Sequence, residues 1–582
     1  MQRSLVPALS LTLTLACAPA PSVETAPSPV AEAVVPTVLP RHYTARPTSP
    51  AITGIDLMSR LYQFADDSMM GREAGTVYND KGTAYIESEV RRLGLRPGGE
   101  DGTFFQNVLV SRTLDPSSAV EVEGRRLTPW TDFAPRDQGN AARSFDGAAV
   151  VYGGSLGDAS HLLPSEDAAG KVVVLTLGAD PTGTPQWNVN RGQIAARFSS
   201  AAAVAVVQLD AVPRGYVDQY YRAPQIGVAG ASESKPSPSY FYVTGAAATA
   251  LLGADPSGLR PGAKGRVVRG RIAFTESHAP GRNVIAILPG SDPALRGEYV
   301  AIGAHNDHIG TTARVVEHDS IRAFNQVIRP QGADSPNRAP TAEELLRIRL
   351  LTDSLRQAHG GARPDSVYNG ADDDGSGSMG LLEIAEAFAT AKERPKRSIL
   401  FIWHVAEELG LFGAEYFTDH PTVPRDSIVA QLNIDMIGRG GAADVTGDSK
   451  EGALLHGGPG YVQLVGSRRL STELGDLAET VNTDRQLGLQ FDYSLDANGH
   501  PQRIYCRSDH YMYARYGIPI IFFTTGGHAD YHQVTDEPQY IDYTRMQRVS
   551  QLVYDLGWRV ADLDHRPVVD KPRPDPHGRC RQ

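Results

Sequence analysis

Hydrophobic and polar positions alternate with different periods along the chain. Between residues 55 and 95, Leu57, Leu61 and Phe64 begin a helical spacing that predicts helices as far as Gly94. From about residue 115 to 273, short runs of β-branched residues alternate with glycine and proline turns, which predicts strands. From residue 282 onward, strand-length apolar runs alternate with an apolar stripe at helical spacing, which predicts a mostly parallel sheet flanked by helices. The predicted elements of this part are strands at 283–288, 298–302, 398–405, 428–434 and 518–524, and a helix at 378–391.

These patterns predict an α/β fold class, in which a β-rich domain is inserted into a mostly parallel mixed sheet with flanking helices. We expect residues 51–114 to form the N-terminal helical part of the main domain, 115–275 the insertion, 276–565 the rest of the main domain and 566–582 a C-terminal tail. Residues 311–366 form a further insert with a predicted helix at 341–357. This insert starts where a strand ends, so it could form a lid over a binding site. The alternative is a solvent-exposed loop without a role in binding.

The N-terminal residues have the features of an export signal. Arg3 precedes a short apolar stretch, 5–16, that is too brief to span a bilayer and ends at Cys17. Leu13-Thr-Leu-Ala-Cys17 resembles a bacterial lipoprotein cleavage site, so residues 1–17 are predicted to be a signal peptide whose cysteine carries lipid. An ordinary secretory signal cut after Ala20 is the alternative. Residues 18–50 are rich in proline, alanine, threonine and serine, which predicts a disordered tether.

Composition narrows the possible partners. The chain has 582 residues, of which 41% are hydrophobic and 21% charged, as in ordinary globular domains. The formal charge is −11 and no long cluster of lysine and arginine occurs, which argues against nucleic acid as a partner. The expected location is the periplasm or the cell surface, with a lipid anchor as the membrane contact, or otherwise outside the cell. Besides Cys17 the chain has Cys506 and Cys580, which the sequence leaves either paired or free.

Side chains that bind metals follow the ends of the predicted strands. These clusters are His305-Asn-Asp307-His308, Asp372-Asp373-Asp374, Glu407-Glu408, Asp435 and Asp530-Tyr-His532. Because sites in parallel sheets form beyond the carboxyl ends of the strands, we expect these groups to lie close together. Two imidazoles and three carboxylates suit two zinc-like ions that share one carboxylate. The predicted ligands are His305, Asp373, Glu408, Asp435 and His532.

Each cluster also has an ordinary explanation. The three aspartates 372–374 could cap a helix, Asp435 could form a turn, and His308, His404 and His528 are expected to be structural or solvated. Calcium could use the acidic loop, but calcium prefers oxygen ligands and the histidines argue against it. The paired glutamates are harder to explain, since unpaired charges at the end of a buried strand are costly to desolvate. Five such clusters in one chain therefore favour a metal site.

The order His-x-Asp, Gly-Ala-Asp-Asp-Asp-Gly-Ser-Gly, Glu-Glu-x-Gly-Leu-x-Gly, Asp-Met and a late Tyr-His resembles the bacterial zinc aminopeptidases with two co-catalytic metals. That wider family includes glutamate carboxypeptidases and glutaminyl cyclases. The resemblance runs from residue 282 to the C-terminal helix, and residues 55–106 are similar to the N-terminal part of such enzymes. It implies a zinc exopeptidase fold, and the β-rich insertion resembles a protease-associated domain. The long interval between Asp307 and Asp373 departs from the family, where a much shorter loop is expected.

The resemblance implies a role for each clustered residue. It assigns two zinc ions that share Asp373 as a ligand. Glu408 and His532 would complete one ion, and His305 and Asp435 would complete the other. Glu407 matches the general base, and Asp307 matches the carboxylate that orients His305. Glu407 would accept a proton from a water shared by the ions and pass it to the leaving amine.

The function implied by the resemblance is a metal-dependent aminopeptidase that removes N-terminal residues from peptides. A carboxypeptidase of the glutamate carboxypeptidase type is the alternative, and Arg439 and Arg507 lie near the metal motifs without distinguishing the two. A glutaminyl cyclase is less favoured because it uses one metal and ligands for two are present. A non-catalytic binding ectodomain is disfavoured because all ligands and the base are present, and a structural zinc site because such sites are rich in cysteine.

Overall fold

The computed structural model describes residues 35–137, 142–178, 190–230 and 236–582, together with Met1. The predicted signal peptide, Cys17 and the first part of the predicted tether lie outside the described residues. Within the described ranges, none of the helices combines the length and the apolar character needed to cross a bilayer.

The elements are numbered in chain order over these ranges. The helices are α1 (Gly54–Phe64), α2 (Val77–Arg92), α3 (Arg191–Arg197), α4 (Arg214–Tyr216), α5 (Gly245–Leu252), α6 (His318–Ile328), α7 (Ala342–His359), α8 (Gly377–Thr390), α9 (Phe412–Asp419), α10 (Thr472–Asp484), α11 (His510–Ala514) and α12 (Tyr543–Asp562). The strands are β1 (Arg96–Pro97), β2 (Phe105–Asn107), β3 (Leu109–Leu114), β4 (Ala119–Val122), β5 (Arg125–Arg126), β6 (Phe133–Arg136), β7 (Ala148–Ser155), β8 (Val172–Thr176), β9 (Ala203–Val207), β10 (Gln225–Val228), β11 (Ser239–Val243), β12 (Lys264–Arg271), β13 (Phe274–His278), β14 (Arg282–Leu288), β15 (Tyr299–His305), β16 (Thr311–Glu317), β17 (Pro364–Val367), β18 (Ser398–His404), β19 (Ile428–Ile434), β20 (Val445–Asp448), β21 (Leu454–His456), β22 (Tyr461–Val465), β23 (Gln490–Asp492) and β24 (Ile520–Thr524).

The main domain is built on a mixed sheet, as predicted. Its strand order is β1-β14-β18-β15-β19-β24-β22-β23, with β2 also paired to β14. The four central strands β18, β15, β19 and β24 are parallel, and antiparallel pairs join them to the strands on either side. In this register His305 lies opposite His404, and Ile434 lies opposite Phe523. The residues that follow these strands therefore emerge at the same edge of the sheet.

Helices cover both faces of the main sheet because its strands are apolar on both sides. Val300, Ile302 and Ala304 point to one face, where they join a buried core with α1, α8 and α12. Ala301 and Ile402 point to the other face, where the core includes residues of α9 and α11. This two-sided burial holds the ends of the central strands in fixed positions.

The β-rich insertion forms a sheet of its own, with the order β5-β4-β12-β7-β8-β9-β11-β6. Strands β7, β8, β9 and β11 are parallel, so the insertion has a parallel centre that the turn-rich sequence did not predict. A separate three-stranded sheet, β10-β3-β13, lies near the junction with the main domain. Here Ile226 and Val228 of β10 pack with Val405 and Ala406, directly before the paired glutamates. The insertion thus contacts the loop that carries the candidate base.

Residues 35–50 were predicted to belong to the tether, but they lie against the main domain. Leu39 and Tyr43 pack on the core, and Thr48 donates a hydrogen bond to Glu386 at 2.6 Å. A few apolar side chains in this stretch contact the main domain, although residues 18–50 as a whole contain few large apolar side chains.

Cys506 and Cys580 form a disulfide with a Cα–Cα distance of 5.9 Å. The bond ties the C-terminal tail to the loop before α11. The side chain of Gln582 accepts a hydrogen bond from the backbone N–H of Tyr505 at 2.8 Å and donates one to the carbonyl of Leu495 at 3.1 Å. The tail therefore braces a loop that lies near the candidate site.

Replacing both cysteines by serine is expected to lower the free energy of unfolding by about 2–4 kcal/mol, because the disulfide closes a long loop in the unfolded chain. Urea denaturation of the variant and the parent measures the loss. Reduced parent protein serves as the control and should unfold at the same urea concentration as the variant. If the parent unfolds at the same urea concentration with and without reductant, the bond contributes nothing.

Candidate metal centre

The five predicted ligands meet at the carboxyl edge of the central strands. His305 ends β15, Glu408 follows β18, Asp435 follows β19 and His532 lies in the loop after β24. Asp373 enters from the turn Ala371–Ser376 that precedes α8. Side chains separated by more than two hundred positions in sequence thus form one buried cluster.

One half of the cluster surrounds His532. Its Nε2 lies 3.0 Å from Asp373 Oδ2 and 3.0 Å from Glu408 Oε2. These three groups and His308 have ligand atoms within 4.8 Å of one another, which is the spacing of side chains around a single cation.

The other half of the cluster surrounds His305. Its Nε2 lies 3.2 Å from Asp373 Oδ1 and 3.7 Å from Asp435 Oδ1. The two oxygens of Asp373 therefore face different imidazoles, His305 on one side and His532 on the other. A carboxylate in that position can be shared by two cations.

The neighbours of Asp373 are occupied elsewhere. Asp374 accepts backbone N–H bonds from His305, Gly377 and Met436 at 2.9–3.2 Å, although its position also falls within reach of His305 and Asp435. Asp372 accepts the backbone N–H of Gly438 and lies beside His528. Both oxygens of Asp374 accept these hydrogen bonds, and Asp372 faces His528, so Asp373 is the aspartate of this turn whose two oxygens lie near His305 and His532. The sequence had offered no physical ground for that choice.

The paired glutamates separate at a left-handed turn. Ala406 has a φ of +59°, a value rare for residues other than glycine, and the chain changes direction there. Glu408 then faces His308 and His532, whereas Glu407 lines the adjoining cavity with Asp435. The two adjacent carboxylates therefore have different surroundings.

Those surroundings drive the pKa values of the carboxyls apart. Burial, reinforced by the charges of Asp435 and Glu408 and opposed by His305, raises the pKa of Glu407 well above its usual range. Burial also opposes ionisation of Asp373, but His305 and His532 outweigh it and hold the pKa of Asp373 well below its usual range. Acid and base roles are commonly divided between groups whose environments differ in this way.

Asp307 lies on the far side of His305. His305 Nδ1 is 3.2 Å from the backbone carbonyl of Asp307 and 3.7 Å from its carboxylate. The Asp307 carboxylate also accepts the backbone N–H of Glu407 at 3.2 Å. Asp307 is therefore placed to fix the imidazole of His305 and the loop of the candidate base together, as expected for an orienting carboxylate.

His308 was expected to be structural or solvated, and the structure places it in the cluster instead. It is 1% exposed, and its Nδ1 lies 2.7 Å from Glu408 Oε1 and 3.7 Å from Asp373 Oδ2. The available signal was its position three residues after His305 in an irregular segment. Periodicity does not give the direction of a side chain after a strand has ended, so the sequence alone could not place it.

Gln331 and Asp334 of the 311–366 insert line a cavity of about 80 Å³ beside the cluster. Arg507 spans the rim, where it donates to Asp334 at 2.7 Å and to the hydroxyl of Tyr531 at 3.2 Å. Acidic and apolar side chains also line this cavity, among them Asp373, Glu407, Asp435, Met436, Leu495, Ile504 and Phe522. The insert therefore forms part of the wall of the site.

The same insert is anchored to the loop that carries His532. Arg322 of α6 donates a hydrogen bond to Asp530, which also pairs with Arg439 at 2.7 Å. His318 lies 3.0 Å from Asp365 and 3.5 Å from Glu537. This second group is within ligand spacing too, but the guanidinium of Arg363 lies 3.5 Å from Glu537 and makes a cation there unfavourable.

The donor set fits a pair of zinc-like cations. His305 Nε2 and Asp373 Oδ2 are buried and make no hydrogen bond within the described part of the chain, although oppositely charged groups lie near them. Such atoms cost free energy unless a ligand occupies them. Imidazoles mixed with carboxylates are the ligands that zinc prefers.

Part of the chain matches a known protein family. Residues 283–557 match the profile of peptidase family M28. The matched segment belongs to this family. All five predicted ligands, His308, Asp307 and Glu407 lie inside the M28 segment.

Curated relatives match the chain over short stretches. Leupeptin-inactivating enzyme 1 of Streptomyces exfoliatus is 43% identical over 81 residues, which are 13% of this chain and 18% of that protein. A probable leucine aminopeptidase of Arthroderma otae is 34% identical over 117 residues, or 19% of this chain and 32% of that protein. The chain thus spans less than a third of the length of either relative.

Solved structures were compared as well. A zinc aminopeptidase from Bacillus subtilis is 17% identical and has a TM-score of 0.43, with 90% of this chain and 99% of that chain covered. An aminopeptidase from Aneurinibacillus is 16% identical and has a TM-score of 0.42, with 89% and 97% covered.

Proposed function

We propose that the chain is a metal-dependent aminopeptidase that uses two zinc ions to remove N-terminal residues from peptides. The observation that carries the proposal is the shared carboxylate of Asp373 between His305 and His532, with Glu407 at the adjoining cavity. The M28 segment supports hydrolysis of peptide bonds as the reaction. The removal of N-terminal residues is proposed from curated relatives, of which this chain covers less than a third.

In this proposal His532 and Glu408 would bind one ion, His305 and Asp435 would bind the other, and Asp373 would contribute a ligand to both. Bound cations at this position supply an acidified water and stabilise negative charge on the carbonyl oxygen. Glu407 would accept a proton from the attacking water as the peptide carbonyl is hydrolysed. Glu407 lines the adjoining cavity, so its protonated carboxyl would be placed to give the proton to the leaving amine.

The charges around the cavity favour an amine over a carboxylate as the group that is recognised. Both arginines that could hold a terminal carboxylate are already paired, Arg439 with Asp444 and Asp530 and Arg507 with Asp334. Arg507 is the one basic residue among the described residues that line the cavity, and Asp334 balances its charge, so a terminal carboxylate would meet no unpaired cation there. This distribution supports an aminopeptidase over a carboxypeptidase.

The direction of cleavage is tested on a synthetic decapeptide and its N-acetylated form. Mass spectrometry of a time course should show successive loss of N-terminal residues from the free peptide and no change in the acetylated one. A matched peptide with an amidated C-terminus should be cut as fast as the free acid. Loss of residues from the C-terminus would overturn the proposal.

His308 is proposed as a further ligand of the ion held by His532. Replacing His308 by alanine is expected to lower the affinity for that ion about 10–100-fold. The affinity for the ion at His305 should not change, since only one of the two ligand sets loses a member. Competition with a chromogenic chelator measures both affinities. The exposed His456 gives a matched control in His456→Ala. Two unchanged affinities would mean that His308 is not a ligand.

Asp334 is expected to influence the choice of substrate. Asp334→Asn removes a negative charge from the cavity rim, which should lower kcat/KM for lysyl relative to leucyl p-nitroanilide by up to about fivefold, since one surface ion pair is worth up to about 1 kcal/mol. Asp353→Asn on the exposed side of α7 is the control. An unchanged ratio would leave the insert without a part in selecting this side chain.

We further propose that the chain is exported and held by a lipid on Cys17, and that the β-rich insertion is a domain of the protease-associated type. The sequence of residues 1–17 supports the anchor. Labelling of cells with a fatty-acid analogue tests it, since Cys17→Ser should abolish incorporation. A labelled Cys17→Ser form would contradict the anchor.

A further inference from the structure

We propose that the β-rich insertion contains a separate binding site for a small carboxylate ligand, lodged in a tyrosine-lined cavity. The cavity has a volume of about 550 Å³, which lies within the range of small-molecule sites. Arg136 at the end of β6, Arg191 at the start of α3, Gln208 after β9 and Tyr242 of β11 contribute to its lining. None of these residues belongs to the metal centre, so the proposal is independent of the proposed peptidase function.

The first observation is a pair of cations, Arg136 and Arg191, that line the same cavity. Arg136 donates a hydrogen bond to the backbone carbonyl of Tyr220 at 3.3 Å, and its guanidinium lies 5.1 Å from the centre of the Tyr221 ring. Among the described residues, no carboxylate forms an ion pair with Arg136 or Arg191. Burial and the nearby charge of Arg191 lower the pKa of Arg136. Two neighbouring guanidiniums in a partly buried cavity are unfavourable unless an anion joins them.

The second observation is an unused acceptor. Gln208 is 8% exposed, and its Oε1 is buried without a hydrogen-bond donor within the described ranges. Because an unsatisfied buried acceptor costs about 1–3 kcal/mol, the site favours a ligand that brings an N–H or O–H group.

The third observation is the aromatic wall. The rings of Tyr221 and Tyr242 are stacked with their centres 5.2 Å apart, and Tyr216 meets Tyr221 edge-on at 5.6 Å. Such rings bind flat or apolar groups and leave their hydroxyls at the rim. The wall therefore accommodates an aromatic side chain.

Together these groups define the chemistry of the ligand. A guanidinium fork matches a planar carboxylate, the Gln208 oxygen matches an amide N–H, and the tyrosines match a ring. The C-terminal residue of a peptide carries all three when its side chain is aromatic. An aryl phosphate shares the negative charge and the ring but lacks the amide N–H.

Calorimetric titration of the zinc-loaded full chain tests the site. The probes are N-acetyl-L-phenylalanine, its uncharged C-terminal amide and phenyl phosphate. We expect the acid to bind with a Kd on the order of 0.1–1 mM, and the amide and the phosphate at least tenfold more weakly.

The variants Arg136→Gln and Arg191→Gln test where the ligand binds. Each should lower the affinity for N-acetyl-L-phenylalanine about 10–100-fold. Arg191 is only partly buried, so its variant keeps the test valid if Arg136→Gln fails to fold. Arg269→Gln, at an exposed position of the same domain, should leave binding unchanged. Equal binding of acid and amide, tighter binding of phenyl phosphate, unchanged affinity in the folded arginine variants, or no binding at about 10 mM would each overturn the proposal.

Discussion

Glu407→Gln is expected to lower kcat by about a hundred- to ten-thousand-fold while both metal ions stay bound. The amide keeps the size and the position of the side chain, but it cannot accept the proton of the attacking water. Glu407 is not among the groups within ligand spacing of the imidazoles, so metal affinity should not depend on it. Turnover of leucyl p-nitroanilide and metal content by mass spectrometry are measured on the same preparation.

The control for this variant is Glu451→Gln, at an exposed position away from the metal centre. It should retain parental turnover and metal content. Loss of metal together with activity in Glu407→Gln would reassign Glu407 as a ligand. Retained turnover would remove it from the proton transfer altogether.

Asp373→Asn is expected to abolish turnover through loss of metal. Among the described residues, Asp373 is the one carboxylate with one oxygen near His305, at 3.2 Å, and the other near His532, at 3.0 Å. An asparagine has a single neutral oxygen and cannot bridge two cations, so both affinities should fall. Metal content after dialysis against a weak chelator should drop from two equivalents to less than one.

The metal-free forms of Asp373→Asn and of the parent serve as the control for folding. They should unfold at similar temperatures, whereas added zinc should raise the unfolding temperature of the parent alone, because a ligand stabilises the state that binds it. Two ions retained by Asp373→Asn would mean that another carboxylate, such as Asp374, is the shared ligand.

Much of the main domain follows from periodicity in the sequence. The predicted strand at 428–434 coincides with β19, and the predicted strand at 398–405 ends one residue beyond β18. Both strands are buried along their length, so most of their residues are apolar, and the first acidic residues, Glu407 and Asp435, come after the strands have ended. The mixed sheet was predicted for the same reason.

Other features depend on contacts that a sequence does not display. The direction of His308 is set after β15 has ended, and the isolation of Asp373 depends on backbone N–H groups that occupy Asp374. Residues 35–50 lie against the main domain because Tyr43 and Thr48 meet partners from distant segments. Each of these outcomes arises from tertiary packing that overrides local composition.

The central claim is that two metal ions and a free N-terminal amine are both required for catalysis. The decisive measurement is a zinc titration of the metal-free protein, followed with leucyl p-nitroanilide and with its N-acetylated form. The account predicts no turnover without metal, recovery that is complete at two equivalents of zinc, and no cleavage of the acetylated substrate at any ratio. Full activity of the metal-free protein, or equal cleavage of both substrates, would contradict it.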